Sequence, residues 1–130
     1  MIKLRIVYWL ILVVWLGVIY LLSAFPSLQI EEIGLWDLVF RKLAHMTEFF
    51  ILALIFSKVI GFSIKKNYKI LIVTIAFGIL YAISDEVHQL FVPGRVGSVI
   101  DIMIDGLGVL LGAAVFFIYQ RCLKKSVDLK

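Results

Sequence analysis

The stretch SDEVHQLFVPGRVGSVIDIMID, Ser84 to Asp105, gathers four carboxylates, a histidine and an arginine into a chain that is otherwise mostly apolar. A second polar group, Arg41, Lys42, His45 and Glu48, precedes it by about one helix and a loop. Histidine beside a carboxylate is equipped for acid–base work near neutral pH. Arginine offers a planar fork for phosphate or carboxylate. Spacing then says which of these can meet. Asp101 and Asp105 are four apart and share one helix face. His45 and Glu48 are three apart, with Arg41 one turn earlier on the same face. Asp85, His88 and Gln89 share a face if their helix continues past Ser84, with Tyr81 one turn before. Glu86 points elsewhere and reads as a solvated loop acid unless the loop folds inward.

These groups need elements to hold them, and composition says in what solvent. The chain has 130 residues, 63% of them hydrophobic, and a mean hydropathy of +1.09. A soluble domain is roughly half apolar, so a soluble fold would expose large sticky patches and lipid is the natural surrounding. Four apolar runs predict four membrane-spanning helices, over about 5–23, 42–60, 67–90 and 98–121, in one domain. The first and last runs reach the roughly 20 residues a span needs, and the middle two do so when their polar ends count as interfacial. Lys3 and Arg5 give the first run a signal-like start. It is longer than a signal's apolar core and no clean cleavage site follows, so it reads as a retained helix. Pro26 turns the chain out of it. The amphipathic IGLWDLVF, Ile33 to Phe40, is expected to lie in the interface, and Pro93-Gly94 marks a turn. The single cysteine, Cys122, excludes an internal disulfide, and basic residues scattered in short clusters do not suggest nucleic acid.

Ten of the thirteen Lys and Arg residues flank one side of these helices, and Arg41, Lys42 and Arg95 flank the other. By the positive-inside rule both termini are cytoplasmic and the polar groups face outward. Both histidines and eight of the nine acids fall on that outer side. Asp101 and Asp105 would lie roughly 5 and 10 Å below the start of the fourth helix. A carboxylate at the bilayer centre costs on the order of 3 kcal/mol, and less near the surface. The two must therefore face the protein interior. Gly108 and Gly112 continue that side and let a neighbouring helix approach. Ser98 stands at the N-cap with Asp101 three residues on, as in a capping box. Arg95, between Gly94 and Gly97, suits an anion, or pairs with an aspartate. Glu48, Asp85, Glu86, Asp101 and Asp105 against Arg41, Lys42 and Arg95 leave two negative charges, which protons, charged histidines or a bound cation could balance. A divalent metal held by histidine and carboxylate is chemically allowed, although the spacing matches no specific metal motif. No nucleophile elbow, Walker loop or zinc-protease helix is present.

RKLAHMTEFFILAL followed by YAISDEVHQLFVPGRVGSVIDIMIDGLGVLLG closely resembles the VanZ-like family of bacterial membrane proteins. That pattern places a basic residue before a histidine and an acid, here Lys42, His45 and Glu48. A longer motif follows, here Asp85, Glu86, His88, Gln89, Pro93, Arg95, Asp101, Asp105 and Gly108. The departure is Met46-Thr47, where an aromatic residue often follows the histidine. The resemblance implies four helices in the bacterial inner membrane and a link to teicoplanin resistance, without a settled biochemical activity.

The expectation is an all-α membrane bundle with a polar pocket at its outer face, acting on an anionic envelope lipid or a lipid-linked cell-wall precursor. Lys42 and Arg95 would hold the anion, with Gln89 and Glu86 beside it. His45, Glu48, Asp85, His88, Asp101 and Asp105 would do acid–base or metal work. A hydrolase or transferase acting on lipid-linked phosphate is the enzymatic alternative. A proton-coupled carrier is a third, disfavoured because the carboxylates cluster at one end and a chain this short would have to act as a homo-oligomer.

Overall fold

A computed structural model describes residues 2–24, 34–95 and 97–128. Among them the chain is all helical: α1 (Ile2–Ala24), α2 (Gly34–Gly61), α3 (Asn67–Gln89) and α4 (Val99–Asp128). All four are long and apolar enough to cross a membrane. The 23 residues of α1 rise about 35 Å at 1.5 Å each, slightly more than a hydrocarbon core of about 30 Å. Side chains such as Val13, Phe40, Ile72 and Met103 are more than half exposed on four different helices. Such an exterior suits acyl chains and not water.

α2 packs on all three other helices, most extensively on α4. α3 also touches the other three, whereas α1 and α4 do not meet among the described residues. The bundle thus has α2 and α3 as its middle pair, with α1 and α4 on opposite sides. Leu12 and Ile19 of α1 meet Phe49, Leu52 and Phe56 of α2 in the buried core, and Phe56 stacks on Phe77 of α3 at 4.0 Å between centroids. Toward the end of α2 and the start of α3, the hydroxyls of Ser57 and Thr74, both buried, share a hydrogen bond of 3.0 Å. It joins α2 to α3 where lipid offers no competing partner.

α2 and α4 lie backbone to backbone. A β-carbon at Gly108 would collide with the Met46 carbonyl oxygen, and one at Gly112 with that of Phe50. This is the close approach expected of a small-xxx-small pair, and it sets how far the polar end of α4 reaches across α2.

One expectation changes. α2 starts at Gly34, eight residues before 42, so Gly34 to Phe40 is helix continuous with the rest of α2. Trp36 and Phe40 are exposed on it, with ring centroids 6.4 Å apart. No helix-breaking residue separates these positions from Arg41, so the helical period runs through. Past the end of α3, Val92 is buried, while its neighbour Phe91 is 81% exposed. Pro26, Ile33, Glu31, Glu32 and Lys130 lie outside the described residues.

The glycine contacts give a direct check. Gly112→Val should destabilise the bundle by about 1–3 kcal/mol, the usual cost of overpacking. Gly106→Ala, whose β-carbon would meet nothing within 4 Å, should be neutral or stabilise by up to about 1 kcal/mol. Thermal unfolding in detergent, followed by circular dichroism, separates them. Equal midpoints for the two variants would contradict this packing.

Candidate functional site

The polar residues gather at one end of the bundle, where α1 and α3 finish and the first turns of α2 and α4 begin. The turn between α3 and α4 makes this possible. Arg95 N–H donates to the Val92 carbonyl at 3.1 Å, closing a turn with Pro93 and Gly94 at its centre. Gly94 has φ +78°, the left-handed value a type II turn requires after proline. Three residues on, a β-carbon at Gly97 would meet Leu90 at 2.8 Å, so the returning chain lies flush against the end of α3.

That return changes the fate of Glu86. It is not a solvated acid: it is 4% exposed, and its Oε2 accepts the Ser98 N–H at 2.7 Å. Ser98 in turn accepts the Ile100 N–H on Oγ at 3.2 Å, as an N-cap does. The capping box is therefore completed differently. The acid that satisfies the Ser98 amide comes from α3, and Asp101 is released to pair with Lys42 across to α2.

A cavity of about 230 Å³ opens between the ends of α2, α3 and α4. Lys42, His45 and Arg95 line it together with Gln89, Glu86, Asp101 and Asp105, and Leu38 and Ile104 supply apolar wall. Asp85 adjoins this space. One donor atom each from His45, Asp85 and Asp105 lies within 4.8 Å of the others. Glu48 stands beside His45, with Oε2 3.5 Å from Nδ1. His88 is the member not brought in. It is rotated about 60° from Asp85 around α3, and its ring stacks on Tyr20 of α1 at 4.3 Å.

Asp85 is 5% exposed and held firmly. Its Oδ2 accepts from Ser23 Oγ at 2.8 Å and from Gln89 Nε2 at 2.9 Å. Arg95 donates from Nη1 to the Ser23 carbonyl oxygen at 3.0 Å. Ser23 thus ties the end of α1 to both an acid and a cation of the site. Two further bonds hold α1 nearby: Trp15 Nε1 to the Glu48 carbonyl at 3.0 Å, and Tyr81 Oη to the Leu16 carbonyl at 2.8 Å. Ser23 escaped the sequence reading. Its one signal is that it is the first small hydroxyl after seventeen uncharged residues, at the depth where the acids of the other helices lie.

Asp105 is different. It is 1% exposed, and neither carboxylate oxygen has a hydrogen-bond partner. The strongest charged influences on it are the carboxylates of Asp85, Glu86, Asp101 and Glu48. His45 and the two aspartates form a mixed nitrogen–oxygen donor set of a kind that first-row divalent ions accept. Histidine next to Glu48 can also move a proton at the cavity wall.

Replacing Ser23 by alanine removes one of two donors to a buried carboxylate. The expected loss is about 1–3 kcal/mol, read as a lower unfolding midpoint. A midpoint unchanged from wild type would mean that α1 is not anchored through this bond.

The chain matches the model of the VanZ/LLP1 family over residues 6–120, from the second turn of α1 to near the end of α4. No curated protein and no solved structure matches it. The matched span contains the cavity and every residue assigned to it. With four helices able to span a bilayer, the protein is a multi-pass membrane protein, and it belongs to the VanZ/LLP1 family.

Proposed function

We propose that the protein holds the phosphate-bearing headgroup of an anionic envelope lipid, or of a lipid-linked cell-wall precursor, at the outer leaflet of the bacterial cytoplasmic membrane. The observation that carries this reading is the state of Arg95. It lines the cavity, and among the described residues it is oriented by a neutral carbonyl oxygen through Nη1. A guanidinium has five N–H donors in a rigid fork, so most of its donors are left for a phosphate. Lys42 lines the same space with a charge shared with Asp101. The cavity, at about 230 Å³, is smaller than the roughly 300–1,000 Å³ of drug-sized pockets. It suits a headgroup, with acyl chains left on the apolar exterior.

Sidedness follows from charge. Lys58, Lys65, Lys66 and Lys69, with Arg121, Lys124 and Lys125, sit at the end of the bundle away from the cavity. Such a bias keeps that end in the cytosol and turns the cavity outward. An outer-leaflet precursor lipid as occupant also accords with the teicoplanin link that the family resemblance implies, since glycopeptides attack cell-wall precursors.

A second reading, hydrolysis or transfer at a lipid-linked phosphate, is favoured by His45. It lines the cavity with Glu48 behind it, in the manner of a general base held by an acid. A proton-coupled carrier has less support, because no comparable run of acids reaches the other end of the bundle among the described residues.

Nanodiscs containing phosphatidylglycerol or a polyprenyl phosphate test these readings by native mass spectrometry and by release of inorganic phosphate. Arg95→Ala should weaken lipid retention about ten- to a hundredfold, the equivalent of losing charge-assisted hydrogen bonds worth about 1.5–3 kcal/mol. Arg95→Lys, which keeps the charge without the fork, should recover part of it. Equal retention by wild type and Arg95→Ala overturns the anion reading, and phosphate release that is lost in His45→Ala decides for the enzyme.

A further inference from the structure

The geometry points to a binding site for a divalent transition-metal ion formed by His45, Asp85 and Asp105, one donor from each of α2, α3 and α4. The inference goes beyond the lipid reading and does not rest on it. It begins with Asp105, a carboxylate 1% exposed with neither oxygen hydrogen-bonded. A buried acid without partners is costly unless something neutralises it. Its strongest charged neighbours are other acids. Arg41, Lys42 and Arg95 line the same cavity, yet Lys42 pairs with Asp101 and none of the three hydrogen-bonds to Asp105.

The donors are already close. One atom from each of the three residues lies within 4.8 Å of the other two. Metal bonds to imidazole nitrogen and carboxylate oxygen run about 2.0–2.2 Å, which sets donors about 3.4 Å apart around a tetrahedral ion. Closing the remaining gap takes roughly an ångström of side-chain movement. Asp85 is prepared for it, since Ser23 and Gln89 both donate to Oδ2 and leave Oδ1 to turn toward the ion. His45 has Glu48 Oε2 3.5 Å from Nδ1. When Nε2 is the metal donor, that acid can accept the other ring proton, the usual support of a metal-bound histidine. An imidazole in the set disfavours calcium and magnesium, and the absence of thiolate disfavours copper(I). Zinc, manganese and iron(II) remain as the class. Three protein donors leave an open position, and His45 and Asp105 line the cavity onto which it would face.

The test uses the full-length protein in lipid nanodiscs, stripped with a chelator and titrated with Co²⁺ or Zn²⁺. Bound metal is read by elemental analysis, and the Co²⁺ site by its visible spectrum. Wild type should bind one ion per chain and unfold at a higher temperature with it. Asp105→Asn and Asp85→Asn should abolish saturable binding, as should His45→Ala. Gln89→Ala, which loosens Asp85, should weaken binding about 10–100-fold. Asp101→Asn, outside the donor set, should cost less than about tenfold, as for a charge acting without a metal bond. Asp105→Asn replaces a buried carboxyl that makes no hydrogen bond and so should remain folded, which keeps the comparison informative should another variant fail to fold. No saturable binding by wild type, or unchanged binding by Asp105→Asn, overturns the proposal. Phosphatidylglycerol retention by the stripped protein, measured alongside, reports on the lipid reading separately.

Discussion

Two carboxylates withdrawn from water inside an apolar bundle set the terms for everything around them. Asp85 and Asp105 are each at most 5% exposed, in a protein whose outer surface is built for acyl chains. Removing a charge from water costs several kcal/mol unless hydrogen bonds or opposite charge return it. For Asp85 the return is visible in Ser23 and Gln89. For Asp105 the protein supplies neighbours of the wrong sign and no hydrogen bond. Proteins keep such unfavourable arrangements mainly where function needs them. The metal proposal begins at this imbalance, whereas the lipid proposal begins at Arg95.

The imbalance has a position because the helices have a register. Gly108 and Gly112 bring the backbone of α4 against that of α2, and this contact fixes which residues of α4 face His45. One turn up the same helix from Gly108 stands Asp105, and one further turn up stands Asp101, within reach of Lys42. The Val92–Arg95 turn then sets the start of α4 against the end of α3, so that Glu86 can cap it. α1 contributes no acid, yet Ser23 closes the arrangement from the far side. The site is thus shared by all four helices, although α1 and α4 do not touch among the described residues.

Much of this could be read from residue types and spacing. The four apolar runs gave the four helices, and the four-residue interval between Asp101 and Asp105 gave their common inward side. The glycines one and two turns on gave the close approach. What escaped depended on partners distant in the chain. Ser23 is an ordinary hydroxyl until α3 delivers Asp85 to it. Glu86 looked solvated because its partner, the Ser98 amide, arrives only when the turn folds back. Asp101 looked like half of a capping box because local spacing cannot see Lys42. His88 shared a nominal face with Asp85, but the rotation of three helical positions was enough to leave it against Tyr20. Local periodicity thus specified faces, and tertiary contact decided which residues on a face meet.

Proximity of His45 to Asp105 is the fact on which the account stands. Cysteines placed at 45 and 105 in a Cys122→Ser background, treated in native membranes with a short thiol-specific cross-linker, measure it directly. A second pair at 57 and 74, whose native hydroxyls are bonded at 3.0 Å, serves as reference. The account expects the 45–105 pair to cross-link within one chain as readily as the reference. Cross-linking of the reference alone, with 45 and 105 remaining separate, would contradict it.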